Sequence, residues 1–214
     1  MIYIDISYKC LLNFDFSWFC HFDDDQYVNI IALQNKLRKL SSDDDWYLGK
    51  ASIDKSLEII VIDSSNFKVI YIIRFLLKNK LLFVFFQKKI SFWFATGGAG
   101  FCLSQSLTDK MRKHAADGKF VLVSDKMHFP DDVTLGYVVD ILCGVQMTHV
   151  QEFHSHLEPL NLVRNLANQI SFSYSTYLNN VIKINGFSES EDPTRFQSIH
   201  CHLHPYVSFC PIIR

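Results

Sequence analysis

Trp18-Phe19-Cys20-His21-Phe22-Asp23-Asp24-Asp25 is the stretch on which the reading of this chain turns. Aromatic residues favour strands, and a cluster of acids belongs in the loop beyond one. Three adjacent carboxylates repel, so they call for full solvation or for a cation. A strand end that fixes acids in place is a mount for a divalent metal with a phosphate on its far side. Two readings therefore stand for Asp23-Asp24-Asp25: oxygen ligands for Mg²⁺ or Mn²⁺, or a solvated acidic turn. Asp43-Asp44-Asp45 lies in a Ser-rich loop after a helical stretch and reads as the solvated kind.

Outward from the acids, Ile30, Leu33, Leu37 and Leu40 recur at helical spacing with Lys36, Arg38 and Lys39 between them, an amphipathic helix. Trp46-Tyr47-Leu48 reads as a short strand ending at Gly49. Phe92-Trp93-Phe94-Ala95 reads as a strand entering the loop Thr96–Gly100. A helix follows, with Ser104 as candidate N-cap and Leu107 and Met111 on its inner face. Pro130-Asp131-Asp132 opens another helix, an Asp serving as cap. Leu135, Val138, Val139 and Leu142 form its stripe and Gly144 its stop. Ile170–Tyr174 and Val181–Ile184 are strand candidates. Strands alternating with helices predict an α/β sandwich.

The 214 residues are enough for one domain with a real core, and a 49% hydrophobic content excludes a disordered chain. The formal net charge of −1 offers no basic footprint for nucleic acid. None of the six cysteines forms a CxxC pair, which argues against a zinc ribbon or a thioredoxin-like site. Buried thiols and lumenal disulfides both remain open. Met1–Cys10 carries Asp5 and lacks the basic and apolar regions of a signal peptide. Val69–Phe86 has membrane-like length but holds Arg74, Lys78 and Lys80 near its middle. Apolar residues contribute about 0.3–0.6 kcal/mol each to insertion and a central Lys or Arg costs about 2.5–3.5, so a spanning helix is rejected.

Four further groups carry chemistry. His154 and His156, if on a strand, face one side and reach one cation; a surface or core histidine pair is the plainer reading. Of Asp131 and Asp132, one caps the helix and the other is free to act as a general base, or both simply favour the helix dipole. Gly97-Gly98-Ala99-Gly100 departs from GxGxxG and reads as a turn that lets backbone approach a ligand, or as a plain tight turn. His200, His202 and His204 surround Cys201, but no second cysteine pair stands at zinc spacing.

In order along the chain, Trp18–Val28 (WFCHFDDDQYV), Phe92–Leu103 (FWFATGGAGFCL), Pro130–Tyr137 (PDDVTLGY), Phe153–Glu158 (FHSHLE) and Asp192–Leu203 (DPTRFQSIHCHL) resemble Fringe-type β-1,3-N-acetylglucosaminyltransferases. These are inverting enzymes in the group that includes the core 1 galactosyltransferases. The resemblance is nearly continuous from Ser91 to Pro211 and is far more specific than a single DxD.

The resemblance implies a GT-A type fold, with residues 18–211 as the Fringe-like domain. It implies UDP-N-acetylglucosamine as donor, Mn²⁺ as cofactor, and O-linked fucose on EGF-like repeats of Notch-type receptors as acceptor. Asp25, with Asp23 nearby, and His156 would hold the metal. Asp24, Asp131, His154 and the turn Gly97, Gly98, Ala99, Gly100 would border the substrates. Asp132 would be the base, and Cys20–Cys102 and Cys201–Cys210 would be disulfides, as suits the Golgi lumen and a single-pass type II membrane protein.

Two departures shape the expectation. Residues 1–17 show no match where the family has an anchor, a stem and uridine-binding strands, so an incomplete nucleotide-binding half is expected. The Phe/Ile/Leu/Lys-rich stretch within 57–90 exceeds the family pattern and reads as an insertion or translated intron. Alternatives are an inactive fragment that keeps part of the acceptor surface, and a β-1,3-galactosyltransferase acting on O-linked N-acetylgalactosamine.

Overall fold

The computed structural model describes residues 16–51, 53–62, 68–70 and 87–210. The expectations placed on residues 1–15, on most of Val69–Phe86 and on Pro211 lie outside them. Among the described residues the architecture is mixed α/β, a mixed sheet flanked by helices.

The aromatic stretch before the acids forms β1 (Trp18–His21). In chain order it is followed by β2 (Tyr27–Val28), α1 (Ile30–Leu37), β3 (Tyr47–Gly49), β4 (Leu57–Ile62), β5 (Lys68–Ile70) and β6 (Gln87–Phe92). Then come β7 (Phe101–Ser104), α2 (Gln105–Ala115), α3 (Lys119–Met127), α4 (Asp131–Tyr137), β8 (Met147–His149), β9 (Ser171–Phe172) and α5 (Phe196–Leu203). The central sheet has the order β1-β7-β3-β8, antiparallel except for the parallel pair β3 and β8. Cys20 pairs with Cys102 across β1 and β7, and the two are disulfide-bonded.

Successive residues of a strand face opposite sides, and that alternation separates two layers. Tyr47, Phe101 and Leu103 pack with Leu107 and Met111 of α2 and with Leu135, Val138 and Val139. Leu48 and Cys102 face the other way, toward Leu33 of α1, Val150, Phe153 and Ile170. Ser104 ends β7 and starts α2: its Oγ accepts from the Leu107 N–H at 3.3 Å, the expected cap, and from the Trp46 N–H at 2.9 Å. The expected stripe on α4 is also present. The helix continues as a π-helical turn over Val138–Leu142 and the chain leaves it at Gly144 with φ of 69°.

β5, β4 and β6 form a second, antiparallel sheet, so the described ends of the 57–90 stretch pair with each other. Ile59 and Phe92 pack there with Phe94, Met127, Phe129 and Val133. A third small sheet joins β2 to β9, beside a cluster of Leu160, Phe172, Ile182 and Ile199.

Three local expectations are corrected. The strand read at Phe92–Ala95 lies earlier, at Gln87–Phe92, because side chains take the later amides: Trp93 N–H donates to Asp140 Oδ2 at 3.1 Å and Ala95 N–H to the Tyr47 hydroxyl at 2.9 Å. Val181–Ile184 is not a strand. Its apolar character reflects Ile182, fully buried in the cluster under α5, and the Ile184 carbonyl accepts from Arg195 Nη2 at 2.8 Å. The histidines at 154 and 156 sit in a loop rather than on a strand, so same-face spacing does not apply to them.

Candidate active site

β1 delivers the chain into the acidic turn, and each aspartate there meets a different environment. His21 Nε2 lies 2.9 Å from Asp23 Oδ1, and its ring stacks on Phe101. That hydrogen bond holds the Asp23 carboxyl below the usual carboxylate range. The Asp23 N–H donates to Gln26 Oε1 at 3.2 Å. Asp24 is exposed. Asp25 is different: its Oδ1 is buried without a hydrogen-bond partner, and burial, reinforced by the charge of Asp23, pushes its carboxyl up.

The glycine run forms a single 3₁₀ turn, Gly97–Ala99, closed by Gly100 N–H donating to the Gly97 carbonyl at 2.8 Å. Gly100 has φ of 84°, and the Phe22 ring occupies the place of a Cβ, so only glycine fits. Gly97 and Gly98 have another use. A Cβ on Gly97 would sit 3.6 Å from Asp23 Oδ2 and 4.0 Å from Asp132 Cβ, and one on Gly98 would sit 3.6 Å from His156 Cε1. The two glycines keep the floor between the acids, Asp132 and His156 free of side chains.

The His154–His156 loop is fastened to this floor. Ser171 Oγ donates to the Ala99 carbonyl at 2.5 Å and accepts from the His154 N–H at 3.1 Å. His154 is buried, with Nε2 2.8 Å from Gln169 Oε1 and Nδ1 3.2 Å from Glu158 Oε2. Glu158 in turn binds Lys50 Nζ at 2.6 Å. Burial opposes the Glu158 charge, yet His154 and Lys50 together hold its carboxyl low. Both ring nitrogens of His154 are thus turned into the protein. Those of His156 are not so engaged: its Nδ1 is buried without a partner, while Asn180 Nδ2 grips its carbonyl at 2.8 Å. His156 acts electrostatically on both Asp23 and Asp25.

Across the turn stands Asp132, in the first turn of α4. Pro130 holds the N-cap position with no side-chain cap, which corrects the expectation of a capping aspartate. Instead Asp131 Oδ1 accepts from the Asp132 N–H at 2.9 Å and Asp132 Oδ1 from the Val133 N–H at 2.8 Å. Asp132 Oδ2 faces the Gly97 N–H at 3.4 Å. Burial raises the Asp132 carboxyl above the ordinary range, the direction that suits a general base. Asp131 stays exposed. His21, Asp23, Gly97, Gly98, Asp131 and Asp132 line a cleft of about 280 Å³ together with Phe101, Pro130 and Leu135.

The donor set fits a hard divalent cation only in part from protein. Among the described residues no three His, Cys, Asp or Glu side chains converge as a metal group. Two orphaned buried atoms do face the same region, Asp25 Oδ1 and His156 Nδ1. A cation that completes an octahedral shell with phosphate oxygens and water needs few protein ligands, and one imidazole beside a carboxylate suits Mn²⁺. The residues present therefore fit that ion. The zinc reading of the tail does not hold among the described residues. His200 Nδ1 pairs with the Tyr27 hydroxyl at 2.9 Å, His202 is exposed, and Cys201 is disulfide-bonded to Cys210. In the second acidic run, Asp45 binds Lys110 and Ser106, while Asp43 and Asp44 are exposed.

Four residues of the site carried no signal in the sequence reading: His21, Gln26, Ser171 and Asn180. Gln26 directly follows the acids, but its partner, the Gly97 carbonyl, lies 71 positions away. No local spacing shows such a contact.

A Fringe-like family model matches residues 3–207 of the chain, so the match reaches into the leading stretch where the sequence motifs showed none. The Fringe glycosyltransferase of Drosophila melanogaster is 50% identical over 198 residues, covering 91% of this chain and 44% of that protein. The β-1,3-N-acetylglucosaminyltransferase lunatic fringe of Xenopus laevis is 38% identical over 212 residues, and its human counterpart 39% over 211. Each alignment covers 96% of this chain and 51% of the relative. The chain thus spans about half the length of the curated relatives it matches. With acidic turn, glycine turn and aspartate-opened helix all inside a match that covers nearly its whole length, this chain belongs to the Fringe-like family.

Proposed function

We propose that this chain carries the metal, donor-sugar and base side of an inverting β-1,3-N-acetylglucosaminyltransferase of partial GT-A type. On this reading UDP-N-acetylglucosamine is the donor, Mn²⁺ the cofactor, and O-linked fucose on EGF-like repeats of Notch-type glycoproteins the acceptor. The whole protein would work in the Golgi lumen as a single-pass type II membrane protein. One observation carries the reading: two buried atoms have no partner, Asp25 Oδ1 and His156 Nδ1, and the glycine turn that faces His156 also faces Asp132, whose carboxyl is raised.

Asp25 and His156 would hold the ion. When bound, it supplies positive charge that offsets the charge growing on the leaving diphosphate, so no general acid is required there. Asp23 is held by His21 and keeps its charge beside that position. Asp132 takes the proton from the attacking hydroxyl of the acceptor. Its Oδ1 is engaged by the Val133 N–H, and Oδ2 has only the long contact to Gly97. An inverting transfer needs one base on the acceptor face, and the reading is supported by Asp132 lining the cleft.

Titration of the chain with UDP in the presence and absence of Mn²⁺, followed by calorimetry, tests the reading. Mn²⁺-dependent heat is expected. Its absence, with the chain folded, would remove the donor site from this stretch and favour a segment that keeps acceptor contacts alone.

A further inference from the structure

We propose that Gln26 is a positioning residue that sets the place of Asp132 relative to the acidic turn, acting through Gly97. The inference rests on the reading of the cleft as a donor and base site. Gln26 uses both ends of its amide. Its Oε1 accepts from the Asp23 N–H at 3.2 Å, and its Nε2 donates to the Gly97 carbonyl at 2.9 Å. The Gly97 carbonyl already closes the 3₁₀ turn by accepting from Gly100, so Gln26 is its second donor. From the same residue, the Gly97 N–H points at Asp132 Oδ2. One side chain therefore joins the acidic turn to the glycine turn, and Asp132 faces the turn it holds.

Gly97 has no side chain with which to anchor itself, and Gly98 beside it has none either. Ser171 fixes the far end of the turn through the Ala99 carbonyl. Gln26 is the corresponding tie at the near end, on the side of Asp23 and Asp132. Misplacement of a reacting group by about 1 Å costs roughly 10²-fold in rate, so a tie between donor side and base has a direct kinetic reading.

Two variants test it. Gln26→Met keeps the length and removes both hydrogen bonds. Gln26→Glu keeps the acceptor for the Asp23 N–H and loses the donor to Gly97. Amide hydrogen exchange on the ligand-free chain is expected to speed up at Gly97 and Gly100 by about ten-fold in both, the scale of one lost hydrogen bond. Transfer assays are expected to show kcat reduced about ten-fold with the donor KM within about two-fold, the pattern of a disturbed transition state rather than of lost binding. Unchanged exchange at both glycines, or an unchanged kcat in an active wild type, would overturn the proposal. Should Gln26→Met fail to fold, Gln26→Glu alone decides. If the wild type neither binds UDP with Mn²⁺ nor transfers sugar, the functional reading fails, while the exchange experiment still decides whether Gln26 ties the turns.

Discussion

Asp132 and Asp25 are both pushed up by burial, yet the surroundings assign them different tasks. Asp25 has an orphaned oxygen beside His156, an arrangement that asks for a cation. Asp132 keeps amide contacts and fronts the cleft, an arrangement that asks for a proton. Replacing Asp132 by Asn is expected to lower transfer by about 10²–10⁴-fold while UDP–Mn²⁺ affinity stays unchanged, as read by parallel kinetics and calorimetry. The sign on stability follows from the raised carboxyl. Between its unfolded and folded pKa values the native state binds more protons, so stability falls as pH rises through that window. Asp132→Asn removes the burial penalty on the charge. Its melting temperature is expected at or above that of wild type at neutral pH, with the gain lost below the unfolded carboxylate pKa. For the same reason transfer by the wild type is expected to fail on acidification at a higher pH than an ordinary carboxylate would give.

Gly98 gives a second prediction at this scale. The space beside it is open enough for a methyl group at 3.6 Å from His156, and its backbone is not left-handed. Gly98→Ala is therefore expected to melt like wild type. It is also expected to weaken Mn²⁺-dependent UDP binding about ten-fold, near 1.4 kcal/mol, because the methyl enters the floor of the site. At residue scale the sequence marked Asp25, Asp132 and His156 as candidates for the chemistry. It did not show that His154 turns inward to Glu158 and Gln169 while His156 Nδ1 has no partner, since those contacts come from the folded loop around Ser171 and Asn180.

The elements differ in how openly they announced themselves. α1, α2 and α4 were legible because each has an apolar stripe at helical spacing, and α2 and α4 a start signal as well; in α1 Leu33 is buried while Ile30 is exposed. β7 was not. Its four residues, Phe101–Ser104, follow the glycine turn at once and run straight into α2, leaving no period to read. Such a strand exists because β1 and β3 flank it and take its hydrogen bonds. α3 holds Phe120-Val121-Leu122-Val123, whose two β-branched valines do not favour a helix, yet the stretch is helical between α2 and α4. The seat of α4 depends on Gly136. A Cβ there would collide with Phe94 Cβ and lie 2.8 Å from the Trp93 carbonyl oxygen. Gly136→Ala is expected to cost about 1–3 kcal/mol by overpacking and to displace the helix that carries Asp132, so urea unfolding and transfer should both register it.

At the scale of the molecule, two disulfides among the described residues tie segments of very different separation: Cys20–Cys102 spans 82 positions and Cys201–Cys210 spans 9. Chain-entropy arguments give about 4.5 kcal/mol for the long closure and about 2.6 for the short one. Urea denaturation is expected to show a larger stability loss for the Cys20→Ser, Cys102→Ser pair than for Cys201→Ser, Cys210→Ser. The long closure joins β1, which leads into the acidic turn, to β7, which leaves the glycine turn. The acidic turn and the glycine turn are thus held together by one covalent tie within the sheet and by the hydrogen bonds of Gln26. Among the described residues no helix is long and apolar enough to cross a membrane.

By itself the sequence determined the elements that have a period and a punctuation mark, the acidic turn after an aromatic strand, the glycine turn, and the aspartates that open α4. Those features are local, and local sterics and hydrogen bonding decide them. Only the tertiary structure decided which aspartate is tied by His21, which oxygen is left unpartnered, which histidine faces Gly98, and that Gln26 spans the two turns. The physical reason is that burial and pairing set the availability of a polar group. Its partners are supplied by loops far away in sequence, which meet only when the sheet and the layers on its two faces have closed around them.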